Sequence, residues 1–252
     1  MKLIVFILLI CNILNANQFY KNEKTPDFCQ ADTKYGILPK SGASHCAPVS
    51  VSNLLIFLNK NGFDKFTNTK NPTAYNQFKL IKELSNYMKT DTVSGTKPKN
   101  VVIGLEHFVR DKGYNIKVET MGWRSKKNRI GKIPNLEWIK RSSIGNSNVI
   151  LNIGWYKYNQ NSNTYSRTNG HYVSVVGFSD SLLFVHDPAK RNGLSKKTLK
   201  CSLSSLKVNS VLKLKSGKKT SSKDYFGLNC LQIKKGNDLA IIDGAIAFSI
   251  QK

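Results

Sequence analysis

Acidic residues are scarce in this chain. Its 252 residues include 39 Lys and Arg but only 15 Asp and Glu, a formal net charge of +24. Such a surface is drawn to polyanions, whether phosphates, acidic glycans, anionic lipid headgroups or acidic proteins; the alternative is a solvated face in a Lys- and Asn-rich sequence. The basic runs have no interleaved aromatics and no nucleic-acid motif is present, so a base-stacking surface is not expected. No two cysteines have the close spacing of a metal knuckle, which argues against zinc, and no cofactor is expected. Pro-rich or Gly/Ser linkers and internal repeats are absent, so one domain is expected. After residue 14 no apolar run is long enough to span a bilayer.

What is present begins with a charged Lys2, an apolar stretch Leu3–Leu14 and small or polar residues at Asn15 and Ala16. This is the order of a secretory signal. Residues 1–16 are therefore set aside as a signal peptide, leaving 17–252 as the exported domain, secreted or periplasmic. A lipoprotein would use Cys11, but Ile10 stands where a small residue is wanted. Export removes Cys11 and leaves Cys29, Cys46, Cys201 and Cys230 in a compartment that permits disulfides. With Cys46 free, the expected pair is Cys201–Cys230, with Cys29 free or competing for one of them. The charge is concentrated: residues 190–223 contain eleven Lys and Arg and no acid, and Arg124–Lys132 form a second cluster.

Residues 17–45 read as mostly irregular. Helical spacing of Ala47, Val51, Leu54 and Leu58, with Pro48 in the first turn and Gly62 beyond the end, predicts a helix from Cys46. Two more helices are expected over 73–89 and 99–112, a strand over 114–120, and a short helix over 135–141. The second half is strand-like: 148–155, 171–178, 182–186, 230–233 and 245–250, with 159–169 a polar hairpin-type loop. Helices first and an antiparallel sheet later make an α+β domain.

Three residues occupy chemically apt places. Cys46 opens CAPVSVSNLLIFL, and a helix N-terminus favours a thiolate and offers N–H groups to an oxyanion. His171 opens HYVSVVGF at the mouth of a strand, where a general base is held firmly yet open to a cleft. Asp187 closes LLFVHDP, and two adjacent antiparallel strands would bring it back to orient His171. The bland alternatives are a buried or disulfide-bonded Cys, an edge His and a strand-ending Asp before Pro. His45 adjoins Cys46, but successive residues point apart. The trio in this order favours an activated nucleophile.

CAPVS before a helix, GHYVSVVGF, and a strand ending in HDP resemble the papain-like cysteine peptidases. The likeness is to the bacteriocin-processing, double-glycine-cleaving peptidases and their secreted stand-alone relatives, over roughly residues 35–190. It implies a papain-like fold with N-terminal helices packed on a C-terminal antiparallel sheet. It also implies Cys46 as nucleophile, His171 as base and Asp187 as orienter. Two positions depart from the pattern. Ala47 stands where the family has Gly, and Lys40 stands six before Cys46, where a Gln donates to the oxyanion. No Gln lies nearby, the closest upstream being Gln30, and Ser41, Ser44 or backbone N–H groups are the expected substitutes. The expected activity is cleavage of peptide or isopeptide bonds through an acyl-enzyme. A cell-envelope amidase or acyltransferase with the same triad, or an inactive domain that binds anionic surfaces, are the rivals.

Overall fold

The computed structural model describes residues 18–20, 24–189 and 198–252. The expected signal at 1–16 and the start of the basic run, 190–197, lie outside the described residues. The architecture is α+β, with helices in the first half and a large sheet that dominates the second.

Helix α1 (Cys46–Lys60) is the centre of the helical part. Thirteen of its fifteen residues are buried, so it is enclosed on all sides, beyond the single apolar face its spacing predicts. Several of its buried polar groups find partners, although Asn53 Nδ2 has none among the described residues. Ser52 Oγ donates to Val49 O at 2.8 Å, and Asn53 Oδ1 accepts from Phe28 N and from Gln77 Nε2. Helix α2 (Ala74–Tyr87) opens with a reciprocal cap between Thr73 and Asn76, and α3 (Pro98–Asp111) opens on proline. Each satisfies or dispenses with N–H groups that a helix start leaves unpaired. Leu54, Leu58, Leu84, Leu105 and Phe108 meet in one core with Ile150, Ile246 and Phe248 of the sheet. Burial of each such side chain stabilises the fold by about 1.5–3 kcal/mol.

Strand β1 (Gln18–Tyr20) precedes the helices; β2 (Asn115–Gly122), β3 (Arg129–Gly131) and the short helix α4 (Leu136–Arg141) follow them. The remaining strands are β4 (Ser147–Asn159), β5 (Thr164–Ser179), β6 (Leu182–His186), β7 (Thr198–Ser205), β8 (Val211–Lys213), β9 (Lys219–Ser221), β10 (Phe226–Asn229) and β11 (Leu239–Gln251). Pairing runs β4–β5–β6–β7–β10–β11 and back to β4, closing a ring of six strands. The side chains of Val149, Leu151, Ile153, Val173 and Val175 share a second core with Val185, Leu228 and Ile242. Alternate residues Ile150 and Tyr172 belong to the helical core instead. This two-residue alternation lets one pair of strands serve both cores.

The sheet differs from the antiparallel expectation. β2–β3 and β5–β8 are parallel, and β1 pairs with β5 from a segment that reads as irregular. β6 covers β5 only from Ser174 onward, so the Thr164–Ser166 edge is open to β8. The expected polar loop over 159–169 is mostly strand, because β4 continues to Asn159 and pairs with β5 from Thr164. Tyr158 and Tyr165, with ring centroids 4.6 Å apart, hold that arm. Residues 230–233 are not a strand. Cys230 leaves the sheet after β10 to bond Cys201.

Candidate active site

The N-terminus of α1, the mouth of the six-stranded ring and two loops, 92–98 and 230–235, enclose a cleft of about 1250 Å³. Cys46, His171 and Asp187 all line it. Cys46 is the first residue of α1, preceded by His45, which makes no side-chain cap. The first N–H groups of the helix therefore stay available where the thiol lies. Ala47, where a Gly was expected, is fully buried and its methyl is absorbed by the helical core.

His171 sits on β5 opposite Ile153 of β4, which aims its ring at the cleft end of the ring of strands. Its Nε2 lies 2.6 Å from Asp187 Oδ1. Ala189 N donates to the same oxygen at 2.9 Å, so the carboxylate is fixed from both sides. The Trp155 ring stacks near His171, with centroids 6.1 Å apart and planes 23° from parallel. Burial opposes the charged imidazole. The Asp187 charge and hydrogen bond, with smaller contributions from Cys46, outweigh it and push His171 up from 6.5 to about 10. The geometry thus favours an imidazolium between a carboxylate and a sulfur.

Two other polar side chains lie near the Asp187 end of the site, His186 and Asn152, and they differ in their surroundings. His186 is buried, with Nδ1 beside Pro26 O and Nε2 beside Thr198 Oγ1, both at 2.9 Å. Asn152 lines the cleft, and its Oδ1 is buried without a hydrogen-bond partner among the described residues. His45 is also buried, and burial holds its pKa below the ordinary value; it does not line the cleft.

Lys40 lines the cleft from a tight turn. In the turn Pro39–Gly42, Lys40 (φ 48°) and Ser41 (φ 51°) take left-handed backbone. Such backbone costs about 1 kcal/mol or more per residue and gathers at functional sites. The turn lays Gly42 against the Gln30 backbone so closely that a Cβ there would meet Gln30 O at 1.7 Å. Gln30 is thereby brought to the cleft, with its N donating to Pro188 O and its Oε1 buried without a partner among the described residues. Spacing along the chain hides this residue; only the turn reveals it. Ser44, another sequence candidate, donates instead to Thr92 O at 2.8 Å.

Among the described residues no cluster of His, Cys, Asp and Glu has the arrangement to hold a metal. Cys201 and Cys230 form a disulfide, and Cys29 and Cys46 are free. No described helix is long and apolar enough to cross a membrane.

No curated protein matches the chain. The Peptidase_C39 like family does, over residues 22–206, a span that includes Cys46, His171 and Asp187. Because that match covers most of its length, the chain belongs to the Peptidase_C39 like family and is related to the papain-like cysteine peptidases.

Proposed function

We propose that the protein is an exported cysteine peptidase with papain-like packing, which cleaves peptide or isopeptide bonds through an acyl-enzyme on Cys46. The observation that carries this reading is the shared cleft of Cys46, His171 and Asp187, with His171 held 2.6 Å from Asp187. The Cys46 sulfur attacks the scissile carbonyl carbon. The oxyanion forms beside the first N–H groups of α1 and the Gln30 side-chain amide. His171 then gives its proton to the departing amine, and the thioester remains. A water enters, His171 takes its proton, and the second tetrahedral adduct collapses to a carboxylic acid and the free thiol. Asp187 keeps the imidazole in one tautomer and stabilises its cation throughout. Export rests on the Lys2–Ala16 segment and agrees with the Cys201–Cys230 disulfide.

The test uses mature protein, wild type and Cys46→Ala, on a mixed peptide library read by mass spectrometry. A thiol-directed affinity probe is applied in parallel. Cleavage and labelling that both vanish in Cys46→Ala are expected. Cleavage that persists in Cys46→Ala, or a library left intact by a wild-type protein that labels at other cysteines, would overturn the assignment. Acceleration of product formation by added amine, with amine captured in the product, would move the reading to acyl transfer.

A further inference from the structure

The wall of the cleft beside His171 contains a second charged cluster that the acyl-transfer chemistry leaves unused. Asp243 is fully buried on β11, at the irregularity between Ile242 and Gly244. It accepts from Tyr156 Oη and from Arg167 Nε, both at 2.5 Å, and from Trp123 Nε1 at 3.3 Å. Arg124 NH1 is 3.8 Å from the same carboxylate, too far for a hydrogen bond. One carboxylate thus faces two guanidinium groups.

Both arginines line the cleft. Arg167 spends Nε on Asp243 and NH2 on Ile153 O at 3.2 Å, and among the described residues NH1 has no partner. Arg124 makes no hydrogen bond among the described residues, and its side chain is 24 % exposed. Burial and the like charge of Arg167 pull Arg124 below its ordinary pKa, with Asp243 opposing them only in part. A guanidinium in a partly desolvated wall is costly unless an anion meets it, and its planar fork fits a carboxylate with two parallel bonds.

The place is built for these side chains. A Cβ at Gly170 would lie 2.3 Å from Arg167 NH2, and one at Gly154 would lie 2.6 Å from Asp243 Oδ2. Gly170 immediately precedes His171. Arg167 bonds the carbonyl of Ile153, the β4 residue opposite His171, so the cluster adjoins the strand pair that bears the imidazole. The rest of the cleft repeats the sign: Lys40, Lys97, Lys234 and Lys235 line it, and Asp187, already paired with His171, is its sole acid among the described residues.

We propose that Arg124 and Arg167 form a carboxylate-binding subsite, so that the substrate presents an acidic side chain or its C-terminal carboxylate within a few residues of the scissile bond. The proposal rests on the peptidase reading for the word substrate, but the binding itself does not require catalysis. Asp243 positions Arg167, and Arg124 supplies the free donors.

The experiment measures fluorescence anisotropy of labelled peptides on the full-length Cys46→Ala protein, which cannot turn them over. Peptides come as Asp/Asn and Glu/Gln pairs and as C-terminal acid/amide pairs. The acidic member of one pair class is expected to bind about tenfold tighter, as charge-assisted hydrogen bonds require. R124Q in the same background should reduce that preference to less than about twofold and leave neutral peptides unchanged, while R124K retains part of it. Which pair class responds identifies the source of the carboxylate. Equal binding within every pair, no binding by any acidic peptide, or a preference that survives R124Q overturns the subsite. Library cleavage by the wild type is scored separately. Acid preference without cleavage removes the peptidase reading and leaves the subsite; cleavage without preference does the reverse.

Discussion

Ser50 of α1 and Ser174 of β5 stitch the helix that bears Cys46 to the strand that bears His171. Ser174 Oγ donates to Ser50 O at 2.8 Å, and Ser50 Oγ donates to Tyr172 O at 3.0 Å. Both residues are fully buried. Ser50 is one turn beyond Cys46 and Ser174 is three residues beyond His171, so the two bonds set the spacing of thiol and imidazole. A serine inside a helix usually bonds back to its own preceding turn; here its hydroxyl crosses to the sheet.

Ser50→Ala and Ser174→Ala are each expected to cost about 1–2 kcal/mol, because each leaves a buried acceptor short of a donor. Activity should fall further than the unfolded fraction accounts for, by about tenfold in kcat/KM, since small misplacement of reacting groups is expensive. Urea melts and peptide kinetics on the two single variants and the double variant check this. Full kcat/KM in a folded, destabilised Ser174→Ala would show that the stitch serves stability alone.

Asp187→Asn separates orientation from bond making. The substitution keeps the shape and removes the charge that holds His171 up near pH 10. Peptide cleavage should drop by about 10²–10⁴-fold, less than for Cys46→Ala or His171→Ala, which remove reacting groups. Stability gives an independent reading. An imidazole that titrates at 6.5 when unfolded and at about 10 when folded binds more protons in the native state between those values. Its contribution is complete below pH 6.5 and is lost as pH climbs toward 10. The melting temperature of the wild type should therefore decline from pH 6.5 to pH 9 more steeply than that of Asp187→Asn. Parallel curves would mean that the pair does not stabilise the fold. If activity survives in Asp187→Asn, Asn152 is the side chain to remove next, because His186 is held by Pro26 and Thr198.

The Cys201–Cys230 disulfide joins β7 to the start of the 230–235 loop, closing 29 residues of sequence separation. Cys230, Gln232 and Ile233 line the cleft, so the bond anchors one wall of the site. Replacing both cysteines with Ser should lower stability by about 3–4 kcal/mol, the size expected from loop closure alone. KM should rise more than kcat falls, because the loop lines the binding cleft while the His171–Asp187 contact lies elsewhere. Thermal melts and steady-state kinetics with and without reductant check both parts. A kcat loss at constant KM would place the loop's influence on the chemistry instead.

The three main helices, the strands through Val149, Val173 and Val185, and the trio of Cys46, His171 and Asp187 were legible because each follows a periodic apolar pattern or sits at its end. Strands β7 to β9 were not. They are short, rich in Lys and Ser, and half exposed; pairing with neighbours, not their own pattern, makes them strands. The arm of β4 and β5 beyond Trp155 escaped for the same reason. A spacing rule does not mark Gln30, because it assumes a loop of fixed length and Gln30 reaches the cleft only where the turn packs Gly42 against its backbone. Arg124, Arg167 and Asp243 come from three distant segments, and no local pattern marks them as a group.

The basic stretch beyond Lys200 can now be tested without disturbing the cleft. Lys213, Lys215, Lys218 and Lys219 are all exposed, but they are not equivalent. Lys218 Nζ donates to Trp123 O at 3.1 Å and lies over the Trp123 ring at 5.8 Å, and Trp123 in turn donates to Asp243. Substituting Lys218 would reach the Arg124–Arg167 cluster, so the useful variant changes only Lys213, Lys215 and Lys219 to Gln. If this face engages an anionic surface, binding to vesicles of anionic lipid should weaken by about fivefold per lost charge, as about 1 kcal/mol per Lys implies. Binding should also fall steeply as salt rises, because electrostatic reach is only about 8 Å near 0.15 M ionic strength. Cleavage of a small neutral peptide should stay at the wild-type level, while cleavage of a substrate presented on the anionic vesicle falls. Equal rates on the two substrates, or vesicle binding that ignores both salt and the three substitutions, would return this face to ordinary solvated surface.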